Sequence, residues 1–331
     1  MGGDNAPEEP AIGSVEFAQK HPDIHILLTG QEHRIRDTIE SRCEGVPSNV
    51  EILHAEETVG MEESPVSAVK EKKNSSIAHA VKMVKEGRAD AVISAGNTGV
   101  TVAQCTLDLK RIPNVKRPGI ISPLPSEQGI FYMLDAGANS ESKPEFLFQH
   151  AVIGAVYCKY FLDKDRPSVG LLNIGTEESK GNDLVRQANK MISEIDDPFF
   201  EYKGYIEGSE LFRGDYDLVV CEGFVGNVVL KLAEGVSSSL LRIISREINT
   251  TPLRKMGAAV LRKAFRSIKG RFDYEEYGGA MLIGVNGICT ILHGASSRKA
   301  FVNGLDTTRK FCEKEINTHI KKYLSLLKKE D

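Results

Sequence analysis

Tryptophan is absent from the 331 residues, and aromatic side chains make up only 7% of them. Repeated base-stacking platforms for single-stranded nucleic acid are therefore not expected. Neither sign of charge dominates, since 42 basic against 46 acidic residues leave a net charge of −4. That balance argues against a nucleic-acid binder, which carries a basic face or domain. The six cysteines (Cys43, Cys105, Cys158, Cys221, Cys289 and Cys312) include no Cys-x-x-Cys pair. Neither a zinc knuckle nor a dithiol redox motif is read from them. Several sit inside apolar runs such as "AVYCKYF" and "LVVCEG", the habit of a small core residue in a reducing compartment. The start, "MGGDNAPEEP", lacks the apolar stretch of a secretory signal. No run is long and apolar enough to span a bilayer. A cytoplasmic protein, at most peripheral to a membrane, is expected.

Nucleotide signatures are missing too. No strand leads into Gly-x-Gly-x-x-Gly, and no Gly-x-x-x-x-Gly-Lys-Ser/Thr occurs. There is no Gly-x-Ser-x-Gly elbow and no His-Glu-x-x-His pair. Neither a cofactor nor a metal is expected.

What is present is alternation. "IHILLTG", "VEILHA", "AVISAG", "GIISPLP", "GIFYMLDAG", "SVGLLNIG" and "DLVVCEG" read as short apolar strands. Helical patterns separate most of them. "SSIAHAVKMVKEGRAD" puts Ile77, Ala80, Val81 and Val84 on one face, with Ser75 or Ser76 as cap. A long helix is expected through "KPEFLFQHAVIGAVYCKYF", and a single long amphipathic helix at the C-terminus. This order predicts an α/β fold, a largely parallel sheet covered on both faces. No repeat or linker divides the chain, so one domain over 1–331 is expected.

In such sheets ligands bind beyond the carboxyl ends of the strands. Three glycine-bearing polar loops are expected there: "SAGNTG" (94–99), "GTEESKGN" (175–182) and "EGFVGN" (222–227). A fourth, "LDAGANSESKPE", covers 134–145. Glycine permits the turn, and free N–H groups at a helix start attract an anion. Each loop alone is equally well a plain turn. Together they suggest a phosphate-sized cradle. The 175–182 loop carries Lys-Gly rather than the Gly-Lys-Ser/Thr of a P-loop, so its lysine is not set for a nucleoside triphosphate.

Nine motifs in order carry a resemblance. They are "MGGDNAP" (1–7), "KKNSS" (72–76), "SAGNTG", "LDAGAN" (134–139), "KPE" (143–145), "NIGTEESKGN" (173–182), "GFVGN" (223–227), "YGGA" (277–280) and "HGASS" (293–297). The chain resembles, over nearly its whole length, the bacterial phosphate acyltransferases of phospholipid synthesis. The resemblance implies a three-layer α/β/α sandwich like that of phosphotransacetylases and isopropylmalate-type dehydrogenases. It implies transfer of an acyl group from acyl-acyl carrier protein to inorganic phosphate, giving acyl phosphate. It also implies a homodimer and a membrane acyltransferase that consumes the product. Members of the family begin with a short apolar strand ahead of the first motif, whereas Met1 here already belongs to that motif. A further strand upstream is the expectation.

The resemblance places the key catalytic positions at Lys180 and Asn227. Lys180 would hold phosphate as a point charge; the plainer alternative is a solvated lysine paired with Glu177 or Glu178. Asn227 would cap the helix after "GFVG" and donate amide hydrogens to the thioester oxygen; the alternative is a cap alone. Asn97, Thr98 and Gly99, with Ser75 and Ser76, are candidate phosphate ligands. His293 is expected at a strand end, buried and hydrogen-bonded or else a general acid, and the role of Asp4 stays open. Cys221 lies in a strand, which disfavours an acyl-cysteine route.

Residues 248–272 hold seven basic side chains and no acidic one. Leu253, Met256 and Val260, with Phe265 beside them, form an apolar stripe three or four residues apart. A helical protrusion over about 248–276 that binds an anionic membrane or the acidic carrier protein is expected. An ordinary core-facing stripe is the alternative. Three further readings compete: a phosphotransacetylase using coenzyme A thioesters, a nicotinamide-dependent decarboxylating dehydrogenase, and a non-catalytic membrane scaffold.

Overall fold

The computed structural model describes residues 1–196 and 198–326. The strands are β1 (Ile26–Gly30), β2 (Val50–His54), β3 (Ala91–Ser94), β4 (Gly119–Ser126), β5 (Gly129–Leu134), β6 (Ser168–Asn173), β7 (Glu201–Glu207), β8 (Leu218–Val220), β9 (Ala280–Ile283) and β10 (Ile288–Ile291). The helices of the first half are α1 (Glu8–Lys20), α2 (Glu32–Arg42), α3 (Pro65–Glu71), α4 (Ser76–Lys85), α5 (Thr98–Asp108) and α6 (Pro144–Phe161). Those of the second half are α7 (Asp183–Ser193), α8 (Gly223–Ile248), α9 (Pro252–Val260), α10 (Arg262–Phe272), α11 (Arg298–Glu313) and α12 (Ile316–Leu326).

Eight strands form one sheet in the order β3-β10-β9-β4-β5-β8-β6-β7. Successive side chains of a strand face opposite ways, and here both faces are buried. Leu218 and Val220 enter one core with Ala151, Ile192 and Ile316 of α6, α7 and α12. Val219 enters another with Val229 and Ala233 of α8, while α4 and α5 close the same layer through Val81 and Cys105. The result is the α/β/α sandwich. α6 has apolar residues all round and ten buried positions, the pattern of a helix enclosed by the core. Gly154 lets it close on β8: a Cβ there would lie 2.6 Å from Leu218 Cδ2.

Pairing is mostly parallel, with β9 and the β4–β5 hairpin supplying the antiparallel steps. Those steps matter for the loops. β3, β10 and β4 run one way, whereas β5, β8, β6 and β7 run the other. The C-terminus corrects the single-helix expectation. Glu315, at φ +47°, breaks it into α11 and α12.

Among the described residues β1 and β2 pair only with each other. Between the open edges of β1 and β3 lies a cavity of about 590 Å³, lined by residues 26–29 and 91–94 of the two strands. α1 supplies Ser14 and Phe17 to its lining, α4 supplies Ile77 and Met83, and α11 supplies Leu305. This is the shape of a strand position inside a sandwich. Ser14 Oγ is buried without a partner among the described residues. Met1 lies beside Gly30 at the end of β1, and Gly3 beside the Ala95 carbonyl just past β3. Met1 to Gly3 thus stand at the carboxyl ends of both edges. The buried amino group of Met1 has its pKa lowered by desolvation, then by Arg34. An acyl chain in this slot would leave two rows of backbone donors and acceptors unmet, whereas a parallel strand satisfies them. Five apolar residues added ahead of Met1, the length of β1, are expected to raise the melting temperature by several degrees. Superimposable melting curves with and without the addition would show that the slot is not a strand position.

Candidate active site

β8 lies between β5 and β6, and all three run parallel. Their carboxyl ends therefore place three loops side by side: 135–139 after β5, the 174–182 turn after β6, and the start of α8 after β8. Ladder spacing puts neighbouring strands about 4.8 Å apart. Lys180 and Asn227 thus leave adjacent strands at the same end of the sheet.

The lysine turn is built on Asn173, whose side-chain amide donates to the carbonyls of Gly175 (3.0 Å) and Lys180 (3.3 Å). Gly181, at φ +90°, presses on the same amide, and a Cβ there would overlap Asn173 Oδ1. Gly175 leaves room for the lysine stem, because a Cβ would stand 2.8 Å from Lys180 Cγ. Asn182 closes the turn by capping α7 through Val185 N–H. Lys180 is held by its backbone while its side chain is exposed. Among the described residues it makes no ion pair, so the alternative pairing with Glu177 or Glu178 is not formed.

α8 begins earlier than the sequence suggested. Its cap position is Glu222, and Asn227 lies in the second turn. The cap assignment for Asn227 is thereby corrected. Gly223 and Gly226 are helix residues that allow close approach: a Cβ on Gly226 would overlap the Asp135 carbonyl oxygen, and one on Gly223 the Asn139 carbonyl oxygen. This contact seats Asn227 over the 135–139 loop, where a Cβ on Gly137 would be 3.1 Å from Asn227 Cβ. The Asn227 side chain is exposed and makes no hydrogen bond among the described residues. Among the described residues no side chain caps α8, so its first-turn N–H groups and positive dipole end face the same place.

Cys221 lies beneath. Burial first, then Asp135 and Glu222, push its thiol well above the usual range, and its S–H donates to the Asp135 carbonyl. A buried, protonated thiol is a poor nucleophile.

The other candidate ligands lie elsewhere. β3 is four ladder steps from β5 and six from β6, with opposite polarity, which is about 29 Å across the strands at ordinary spacing. The 94–99 loop leaves the other end of the sheet, so the expected single cradle of all the loops is not assembled. Asn97 spends its side chain on the fold. Its Oδ1 accepts from Val100 N–H, and its Nδ2 donates to the carbonyls of Gly60, Met61 and Glu63. Ser75 is buried and caps α4 through Ala78 N–H. Ser76 is buried too, at the wall of the slot. Thr98 is exposed at the first position of α5, and Gly99 sits where a Cβ would be 2.7 Å from Pro65 Cγ.

Around them gather "MGGDNAP" and "HGASS": Asp4 N–H donates to the Gly294 carbonyl, and Asn5 Nδ2 to that of Ala295. His293, expected either buried and hydrogen-bonded or as a general acid, is exposed, and its Nδ1 accepts from Ala295 N–H. Sequence reasoning missed Asp135, which is fully buried and holds the 135–139 loop together.

The basic segment also departs from expectation. It is two helices, α9 and α10, broken at Leu261, with no buried residue in either. Leu253, Met256 and Val260 are 78%, 68% and 84% exposed, and Phe265 is half-buried. The core-facing alternative fails within this chain. α8 adds an unexpected exposed row of Phe224, Val228, Leu232, Val236, Leu240 and Ile243. Among the described residues no helix is long and apolar enough to cross a membrane.

The fold has structural counterparts among acyl-transferring enzymes. A phosphotransacetylase from Streptococcus pyogenes superposes with a TM-score of 0.62 at 16% identity, covering 93% of this chain and 92% of that one. The EutD phosphotransacetylase from Staphylococcus aureus gives 0.60 at 17% identity, covering 92% of each chain. At such identities the likeness is one of fold. Sequence goes further: the family described as "fatty acid synthesis protein" matches residues 1–319. A phosphate acyltransferase of Desulfitobacterium hafniense is 44% identical over 98% of this chain and 96% of its own length. One from Clostridium perfringens is 42% identical over 96% and 92%. The chain belongs to this phosphate acyltransferase family, the acyltransferases of lipid biosynthesis.

Proposed function

We propose that the chain transfers a fatty acyl group from acyl-acyl carrier protein to inorganic phosphate. A phosphate oxygen attacks the thioester carbonyl, the C–S bond breaks, and the carrier thiol leaves with acyl phosphate as product. Phosphate is already anionic at neutral pH, so it needs orientation more than deprotonation. Lys180 supplies a mobile positive charge on a fixed backbone. Asn227 and the uncapped start of α8 supply donors for the thioester oxygen as charge develops on it. The observation that carries this reading is the glycine-packed seam between 135–139 and 223–227. It holds an amide with no partner of its own next to the strand that carries an unpaired lysine. With the side chains of Asn97 and Ser75 engaged in the fold and Ser76 buried at the wall of the slot, Thr98 and Gly99 are left as a secondary anion contact.

The donor is tested by comparing kcat/KM for carrier-protein and coenzyme A thioesters of one acyl chain. A clear preference for the carrier protein is expected. Equal or better use of coenzyme A would favour a phosphotransacetylase activity.

Two exposed surfaces support partner proposals. The apolar row on α8, 26 residues and about 39 Å long, suits a homodimer seam. The α9–α10 protrusion suits an anionic membrane, with peripheral attachment beside the membrane acyltransferase that consumes acyl phosphate. Each basic residue near such a surface contributes about 1 kcal/mol, screened by salt, while the apolar contact persists. Pelleting with anionic vesicles is expected to weaken at high salt without vanishing. Leu253→Glu with Val260→Glu should release the protein while activity on soluble substrate continues. Equal pelleting of the two proteins would refute the membrane role.

A further inference from the structure

Asp135 is fully buried, yet every hydrogen-bond partner of its carboxyl group among the described residues is a donor. Its Oδ1 accepts from the backbone N–H groups of Ile120 (3.0 Å), Gly137 (3.0 Å) and Ala138 (2.8 Å). Its Oδ2 accepts from the backbone N–H of Asn139 (3.0 Å) and from Asn139 Nδ2 (2.8 Å). Asn139 Nδ2 also reaches the Pro118 carbonyl at 2.8 Å, tying the loop to the chain entering β4. Five donors converging on one side chain need both of its oxygens as acceptors, which a carboxylate supplies and an amide does not. A buried carboxylate so surrounded is costly unless every bond is made.

The loop it closes is the floor under Asn227. Gly137 takes φ +129°, a region L side chains rarely enter, and its open face is covered by Asn227. The helix start rests on the same group, since a Cβ on Gly223 would stand 2.7 Å from Asp135 Oδ2. Asp135 therefore touches both sides of the seam that aims Asn227, while lying beneath it.

We infer that Asp135 is a positioning residue for the acyl-transfer step. Its carboxylate presets the 135–139 loop and the first turn of α8, and so the direction of the Asn227 amide. The inference rests on the role proposed above for Asn227. Asp135→Asn keeps the shape but turns a donor group toward donors, so the loop loosens without a cavity being made.

The test is a double-mutant cycle read on kcat, on KM for phosphate and on melting temperature. Asp135→Asn is expected to lower kcat by roughly tenfold to a hundredfold, with KM for phosphate changed by less than about twofold. In an Asn227→Ala background the same substitution should cost less than about threefold, because the group it aims is gone. A residue that is merely structural gives the same fold-loss in both backgrounds, and that result would overturn the inference. So would a folded Asp135→Asn enzyme that keeps more than half its kcat. If that variant does not fold, Gly137→Ala presses on Asn227 directly and should show the same loss and the same collapse. Failure of both variants to fold would mark the seam as purely structural and likewise overturn it. Full turnover by Asn227→Ala alone would instead remove the role proposed for Asn227, and the inference with it.

Discussion

Lys180→Ala is expected to lower acyl-phosphate formation by roughly a hundred- to a thousand-fold, the cost of one preorganised charge contact to a transition state. The structure makes this a clean substitution. The turn is held by Asn173, Gly181 and Asn182, and the lysine side chain makes no ion pair among the described residues. Removing it leaves those backbone contacts in place, so the melting temperature should stay within the range of neutral surface changes. A variant that keeps more than about a tenth of wild-type activity at saturating phosphate would mean the charge lies outside the reaction.

Asn227→Ala should separate turnover from stability even more sharply. A cap asparagine replaced by alanine costs about 1 kcal/mol. Asn227 is not a cap: it lies in the second turn of α8, exposed, with Glu222 at the cap position. Alanine is the better helix former there by up to about 0.7 kcal/mol, so stability is expected to hold or rise slightly. Turnover should nevertheless fall by about a hundredfold, because the donor aimed at the thioester oxygen is lost. A variant with unchanged turnover would leave Asn227 as an ordinary helix residue.

The layers of the fold were legible because local patterns decide them. The apolar run of α6, the short strands, and the glycine turns after β5, β6 and β8 all follow from nearest-neighbour chemistry. What was not legible depends on pairing across the chain. The reversal between β4 and β5 decides that 94–99 faces away from 175–182, and no residue in either loop reports it. Glycines in "GFVGN" look like loop residues, yet here they are helix positions shaped by the Asp135 and Asn139 carbonyls. Asn97 and Ser75 have the right chemistry for phosphate, but the fold uses it for a loop tie and caps, and Ser76 is buried at the wall of the slot. The α8 row from Phe224 to Ile243 has the period of a core face, and only the packing shows that it stays exposed among the described residues. Asp135 sits inside the "LDAGAN" motif. Its acidity gave no sign that five donors would close around it.

The proposed reaction makes phosphate itself the acyl acceptor. It is tested most directly by incubating the protein with acyl-acyl carrier protein and inorganic phosphate, then trapping any acyl phosphate with hydroxylamine. Product is expected only when both substrates are present, in step with one free carrier thiol released per acyl group. Thiol release that proceeds equally without phosphate, or release with no trappable acyl phosphate, would contradict it.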